Sequence, residues 1–381
     1  MRKIAVVTGT RAEYGIFRPV LKAIKADPRL DLALIVTGMH LSEEFGCTAK
    51  EIEKDGFKIS ANVEMLHAKD TGAAMARSIG KCVHEMANVL EGIKPDVLLI
   101  LGDRAEMLAS AAAASYMGIP IAHLHGGEVS GGVDEPVRHA ISKLAHIHFP
   151  TTKNSAKRLV KMGEEPSRIF VAGAPSLDTI LNEKLPKRDE LAKKYRLDPS
   201  KPILLVIQHP IVTEADKAAA QMRETLGAIV ELKQQTILVY PNADAGGRRM
   251  IKVIKKYGKC PFIRSFKSIP YTDYLGLMRM ASVMVGNSSS GIIEAPSFHL
   301  PVVNIGGRQR GRERSTNVID VGYDRREITR AVKKALYDKK FREKVRNCRN
   351  PYGDGRASQR IVKVLSKIKI TPRLLQKRIT Y

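Results

Sequence analysis

The sequence predicts an α/β protein made of two doubly wound, parallel-sheet domains of similar size. Three observations carry that prediction. Short, nearly continuous apolar runs alternate with longer amphipathic stretches along the chain. The alternation breaks once, at a charged stretch bearing prolines, and then restarts. The length of 381 residues leaves room for two domains at roughly 150 residues each.

In the first half the apolar runs fall at residues 4–7, 33–36, 97–101, 119–122, 147–149 and 169–171. Uninterrupted apolar strands of this length suit a parallel sheet covered on both faces. Helical patterns at 73–90 and 104–117 lie between them, which gives the βαβ rhythm of a doubly wound unit. The break is NEKLPKRDELAKKYRLDPSKP, residues 182–202. Runs then recur at 203–207, 236–240, 283–285 and 302–305. The expected organisation is a first domain over 1–182, a second over 200–360, and a tail over 361–381 that packs back on the first.

Lys and Arg exceed Asp and Glu by 25, so the chain is strongly basic. Aromatics make up 5% of the residues and Trp is absent, which leaves little for stacking on single-stranded nucleic acid. The basic residues are dispersed, with their tightest cluster at 308–314. A solvated basic surface therefore explains most of the excess, and no nucleic-acid partner is expected. No run reaches the roughly 18–20 apolar residues of a membrane helix. The opening MRKIAVVTGT reads as a first strand rather than a signal peptide. Cys47, Cys82, Cys260 and Cys348 are scattered without zinc spacing, as expected of free thiols in a cytoplasmic protein with no metal.

Ligands of open parallel sheets bind beyond the carboxyl ends of the strands, so the residues that follow each run matter most. The first run ends in Thr8-Gly9-Thr10-Arg11, a turn fit for an anion or simply for entering a helix. The second ends at His40. The run at 97–101 ends in Gly102-Asp103-Arg104, where Asp103 is a candidate base or a helix N-cap. Next comes His125-Gly-Gly-Glu128, followed by Gly131, Gly132, Asp134, Glu135, Arg138 and His139. This glycine-rich loop gathers carboxylates, imidazoles and a guanidinium, and Asp134 also suits an N-cap. In the second half the runs end at His209, at Asn242 with Arg248 beyond it, and at Gly286-Asn-Ser288-Ser289-Ser290-Gly291. The last reads as a phosphate cradle at a helix N-terminus, with Glu294 a turn or more inside that helix. No Walker lysine follows, so a P-loop kinase or ATPase is not expected.

Together these strand ends resemble the UDP-N-acetylglucosamine 2-epimerase family, most closely its hydrolysing branch. The motifs are TGTRAEYG, TGMHLSEEFG, LGDRAE, HGGEVSG, RHAISKLAHIHF, QHPIVT, PNADAGG, GNSSSGIIEA, GGRQRGRE and YGDG, in order from residue 8 to about 355. The resemblance implies a pair of Rossmann-like domains of the GT-B type with the active site in the interdomain cleft. It implies that Phe266, through its backbone, and Glu294 hold uridine. Ser288, Ser289, Arg11, His209 and Arg308 would take the diphosphate, and Asn242, Arg248 and Arg104 would contact the ligand. Asp103, Asp134, His125, Glu128 and His209 are the candidates for catalysis. The implied reaction eliminates UDP to a glycal and hydrates it, giving N-acetylmannosamine for sialic-acid-type synthesis, without cofactor or metal and in a homodimer.

One position departs from the family pattern H-[IV]-E-G-G-E: His125 stands where the catalytic Glu belongs. Imidazole or Glu128 would then move the proton, or the substrate differs. The alternatives are a 2,4-diacetamido-2,4,6-trideoxyglucose nucleotide of a legionaminate-type pathway, a non-hydrolysing epimerase, or a GT-B glycosyltransferase.

Overall fold

The computed structural model describes residues 1–381. It contains two six-stranded sheets. The first joins β1 (Arg2–Thr8), β2 (Leu30–Thr37), β3 (Ile59–Val63), β4 (Val97–Leu101), β5 (Ile121–Leu124) and β6 (Ile147–Phe149) in the order β3-β2-β1-β4-β5-β6. The second joins β7 (Ile203–Ile207), β8 (Gln235–Val239), β9 (Ile263–Phe266), β10 (Val283–Gly286), β11 (Val302–Ile305) and β12 (Val318–Val321) in the order β12-β11-β10-β7-β8-β9. Every pairing is parallel. Counted from its own first strand, each sheet has the same winding, with the direction reversing beside β1 and beside β7.

The central strands are apolar because helices cover both faces. All five residues of β4 and all five of β7 are buried. On one face of the first sheet, Ile4, Val6 and Leu99 meet Phe17, Val20 and Leu21 of the helix Arg11–Ala26. On the other, Ala5, Val7 and Leu98 meet the helices Gly72–Ile93 and Ala105–Tyr116. Strands β3, β9 and β12, absent from the sequence reading, are edge strands with partly exposed residues. The expected strand at 169–171 does not form; Ile169 makes only an isolated bridge to His148.

The chain crosses between the sheets twice. It leaves the first through the helix Ser176–Asn182 and the helix Arg188–Tyr195, whose Leu191 and Tyr195 join the second core. It returns through the helix Ala357–Lys367, whose Ile361, Val362 and Leu365 belong to the first core. That helix starts within the stretch expected to belong to the second domain. The crossings lie side by side: Ala174 N donates to the Tyr352 carbonyl at 2.7 Å and Asn182 Nδ2 to the Gly355 carbonyl at 2.7 Å. Asp178 caps the returning helix through the Ala357 and Ser358 amides. No helix is long and apolar enough to cross a membrane.

Candidate active site

The two reversals in strand order set the site. Beyond β1 and β4 come Thr10, Arg11, Asp103 and Arg104; beyond β7 and β10 come His209, Ser288 and Ser289. All seven line one cleft of about 1360 Å³, measured out to its open mouth. The cleft also takes in His125, Asn242, Glu294 and Arg308.

On the second domain the wall is built to donate. His209 is half-buried and faces Arg308, Arg104 and Arg11; desolvation first, then those charges, hold its pKa well below the ordinary value, so the ring is neutral. The Asn242 amide donates to His209 Nδ1 at 3.1 Å. The proton of the neutral ring must then sit on Nε2. Gly286, at φ 130°, lets β10 end against β7; a Cβ there would lie 1.9 Å from the Ile207 carbonyl oxygen. The helix that follows is shorter than expected, spanning only Ser290–Ile293. Glu294 therefore sits at its end rather than within it, buried, with burial raising its pKa.

On the first domain the wall carries the proton acceptors. Asp103 does not cap a helix; it forms an ion pair with Arg138, a guanidinium buried to 2% exposure. Arg138 is fixed in turn by the Glu128 carbonyl at 3.0 Å and Ser130 Oγ at 3.1 Å. His125 adopts φ 62°, the left-handed region. That costs a non-glycine residue roughly 1–2 kcal/mol and is commonest where function holds it. Glu128 lies behind His125, off the cleft wall. Asp134 is the first residue of the helix Asp134–Leu144 rather than its N-cap, and pairs with Arg308 at 3.1 Å.

Arg104 bridges the domains, 2.8 Å from Glu106 and 3.4 Å from Asp244. Burial opposes its charge, but Glu106, Asp244 and Glu13 outweigh it and raise its pKa. Glu13 is the reverse case: burial and Glu106 push it up to about 8. Phe266 and Arg248 lie off the cleft wall. Phe266 gives its carbonyl to the Tyr240 amide, while its neighbours Lys267 and Ser268 face the cleft. Arg248 pairs with Glu44 across the domain boundary at 2.8 Å.

Several buried polar atoms in this wall have no protein partner: Glu13 Oε1, His125 Nε2, Asn242 Oδ1, Ser268 Oγ, Tyr271 OH and Tyr274 OH. Such atoms are costly to leave unpaired, and their convergence on one cleft marks a polar ligand's place. Glu13, Tyr271, Tyr274 and Arg312 are among the cleft residues that sequence reasoning passed over. Glu13 and Arg312 stand inside the quoted motifs, whereas Tyr271 and Tyr274 lie outside them and look like ordinary helix residues. No group of three or more His, Cys, Asp or Glu side chains is arranged to hold a metal ion.

A family model described as UDP-N-acetylglucosamine 2-epimerase matches residues 22–366. The chain belongs to the UDP-N-acetylglucosamine 2-epimerase family, in its hydrolysing branch. It is 45% identical over 377 residues to a hydrolysing UDP-N,N'-diacetylbacillosamine 2-epimerase of Legionella pneumophila, covering 99% of each chain. It is 37% identical over 323 residues to a hydrolysing GDP/UDP-N,N'-diacetylbacillosamine 2-epimerase of Campylobacter jejuni, covering 84% of each. The fold matches the UDP-GlcNAc 2-epimerase of Neisseria meningitidis bound to UDP-GlcNAc, with a TM-score of 0.81 at 20% identity, over 96% of this chain and all of that one. The two-domain α/β fold of GT-B type is thus that of the family. As a member of it, the protein is a UDP-sugar 2-epimerase.

Proposed function

We propose that the protein is a hydrolysing 2-epimerase of UDP-N,N'-diacetylbacillosamine, the UDP-linked 2,4-diacetamido-2,4,6-trideoxyglucose, releasing UDP and the free 2-epimer. The carrying observation is the 45% identity, over nearly the whole of both chains, to the Legionella enzyme of that name. This reading displaces the expectation of UDP-GlcNAc as substrate, and His125 in place of a Glu accords with a changed sugar.

The reaction needs a base at C2 and donors at the departing phosphate. The C2 proton leaves, its bonding pair forms the C1–C2 double bond, and the C1–O pair departs on UDP. Water then adds to C1 while a proton reaches C2 from the opposite face. His209 Nε2–H, Arg11, Arg308, Ser288 and Ser289 would stabilise charge on the diphosphate. Glu294 would accept from the ribose hydroxyls, and Asp103, which lines the cleft, would serve as a proton-transfer group at the sugar. A cytoplasmic homodimer is the proposed state.

Incubation of the protein with each UDP-sugar in D2O, followed by NMR, tests the proposal. UDP plus a free 2-epimer deuterated at C2, formed from the diacetamido substrate, supports it. Turnover of UDP-GlcNAc to N-acetylmannosamine instead overturns the choice of sugar, and accumulation of a UDP-linked epimer overturns hydrolysis.

A further inference from the structure

We propose that His125 is the base that takes the C2 proton and that Glu128 acts only through it, as a positioning residue. The proposal rests on the hydrolysing 2-epimerase reading and divides the labour of two residues within it.

Glu128 cannot reach substrate. Its Oε1 accepts from Thr151 Oγ1 at 2.7 Å, and its Oε2 lies 3.0 Å from the Arg312 guanidinium. Its side chain is 3% exposed and lies off the cleft wall. Burial works against its charge, but the Arg312 guanidinium, foremost among its neighbours, outweighs it and holds the carboxyl below the ordinary range. It is therefore a permanent acceptor.

His125 Nδ1 stands 3.3 Å from Glu128 Oε1. Of the two ring nitrogens Nδ1 is the one that faces a carboxylate, so a ring with a single hydrogen is favoured with that hydrogen on Nδ1. Nε2 is then left with its lone pair. That atom is buried, has no protein partner and belongs to a residue lining the cleft. The backbone that carries the ring is held in place. Its amide is held by the Phe149 carbonyl at 3.1 Å. The two glycines after it are pressed against neighbours: a Cβ on Gly126 would meet His123 and Ser142 at 2.9 Å, and one on Gly127 the Ser155 carbonyl at 2.4 Å.

The cleft thus holds two imidazoles of opposite polarity. His209 has Nδ1 occupied by an N–H and offers Nε2–H to the phosphate side. His125 has Nδ1 turned to a carboxylate and offers a bare Nε2 to the sugar side. In the elimination, Nε2 takes the C2 proton, the C–H pair becomes the double bond, and the C1–O pair leaves on UDP. The imidazolium is balanced by Glu128 and later gives its proton to solvent. In the hydration, water adds to C1, and a second group delivers a proton to C2 from the other face, recovering one from the added water.

Two measurements on the full-length protein test this. Nitrogen-15 histidine NMR at about pH 8 should show His125 as the Nδ1–H tautomer, converted to Nε2–H in Glu128→Gln; an Nε2–H tautomer in the wild type overturns the proposal without reference to activity. In turnover assays with the active UDP-sugar, His125→Asn and Glu128→Gln should each lower kcat by about 10²–10⁴, with KM and UDP affinity within about twofold. Retention of kcat within tenfold by His125→Asn overturns it. If the wild type turns over no UDP-sugar, the 2-epimerase reading falls instead, and the tautomer result still stands for or against the dyad.

Discussion

The backbone amide of Asn242 donates to Nδ1 of His209, and this single hydrogen bond decides which face of the imidazole meets the ligand. Residues 33 positions apart, at the ends of β8 and β7, are joined so that His209 presents an N–H to the cleft. Removal of that donor in His209→Ala is expected to lower kcat by about 10²–10³, the usual cost of one donor at a developing anion. His209→Gln, which keeps an N–H, should retain more. Steady-state kinetics of both variants checks the order.

Asp103→Asn should act twice. It removes a proton-transfer group, and it leaves the buried Arg138 guanidinium without its counter-charge. Turnover should be lost while UDP still binds, and stability should fall by about 3–5 kcal/mol. The double variant with Arg138→Met should recover stability but not turnover, read by urea titration alongside kinetics.

Glu294→Ala should raise KM with little change in kcat. A buried carboxylate that accepts from a bound ligand contributes about 1.5–3 kcal/mol, or roughly a 10- to 150-fold loss of UDP affinity by titration calorimetry.

Acid should destabilise the fold through His40. Burial lowers its pKa to about 3, between Thr8 and Thr48 hydroxyls. Its folded-state value lies below the unfolded 6.5, so its contribution is complete above pH 6.5 and is lost as pH falls toward 3. The slope is about 1.4 kcal/mol per pH unit at most. His40→Gln should flatten the melting-temperature profile in that window.

The central strands were legible because they are buried on both faces: 97–101 and 203–207 match β4 and β7 residue for residue. Edge strands such as Ile59–Val63 alternate in exposure and leave no apolar run to read. The residues at strand ends could be located because parallel strands point their carboxyl ends one way. What could not be read was pairing between distant loops. Nothing local ties Asp103 to Arg138 or Glu128 to Arg312, and those contacts decide which carboxylates face the cleft. Nor does a run of serines reveal that its helix ends after Ile293.

The two side-by-side crossings between the sheets have a mechanical consequence. Two bodies joined by one strand of chain can swivel; joined by two adjacent strands along one edge, they can only swing like a door. Ala174 with Tyr352 and Asn182 with Gly355 stitch that edge. Away from it, Arg248 with Glu44 and the Gly246 amide with Asp70 act as clasps. Any movement of one domain against the other would pivot on that edge, carrying His209 and His125 apart and together along one arc.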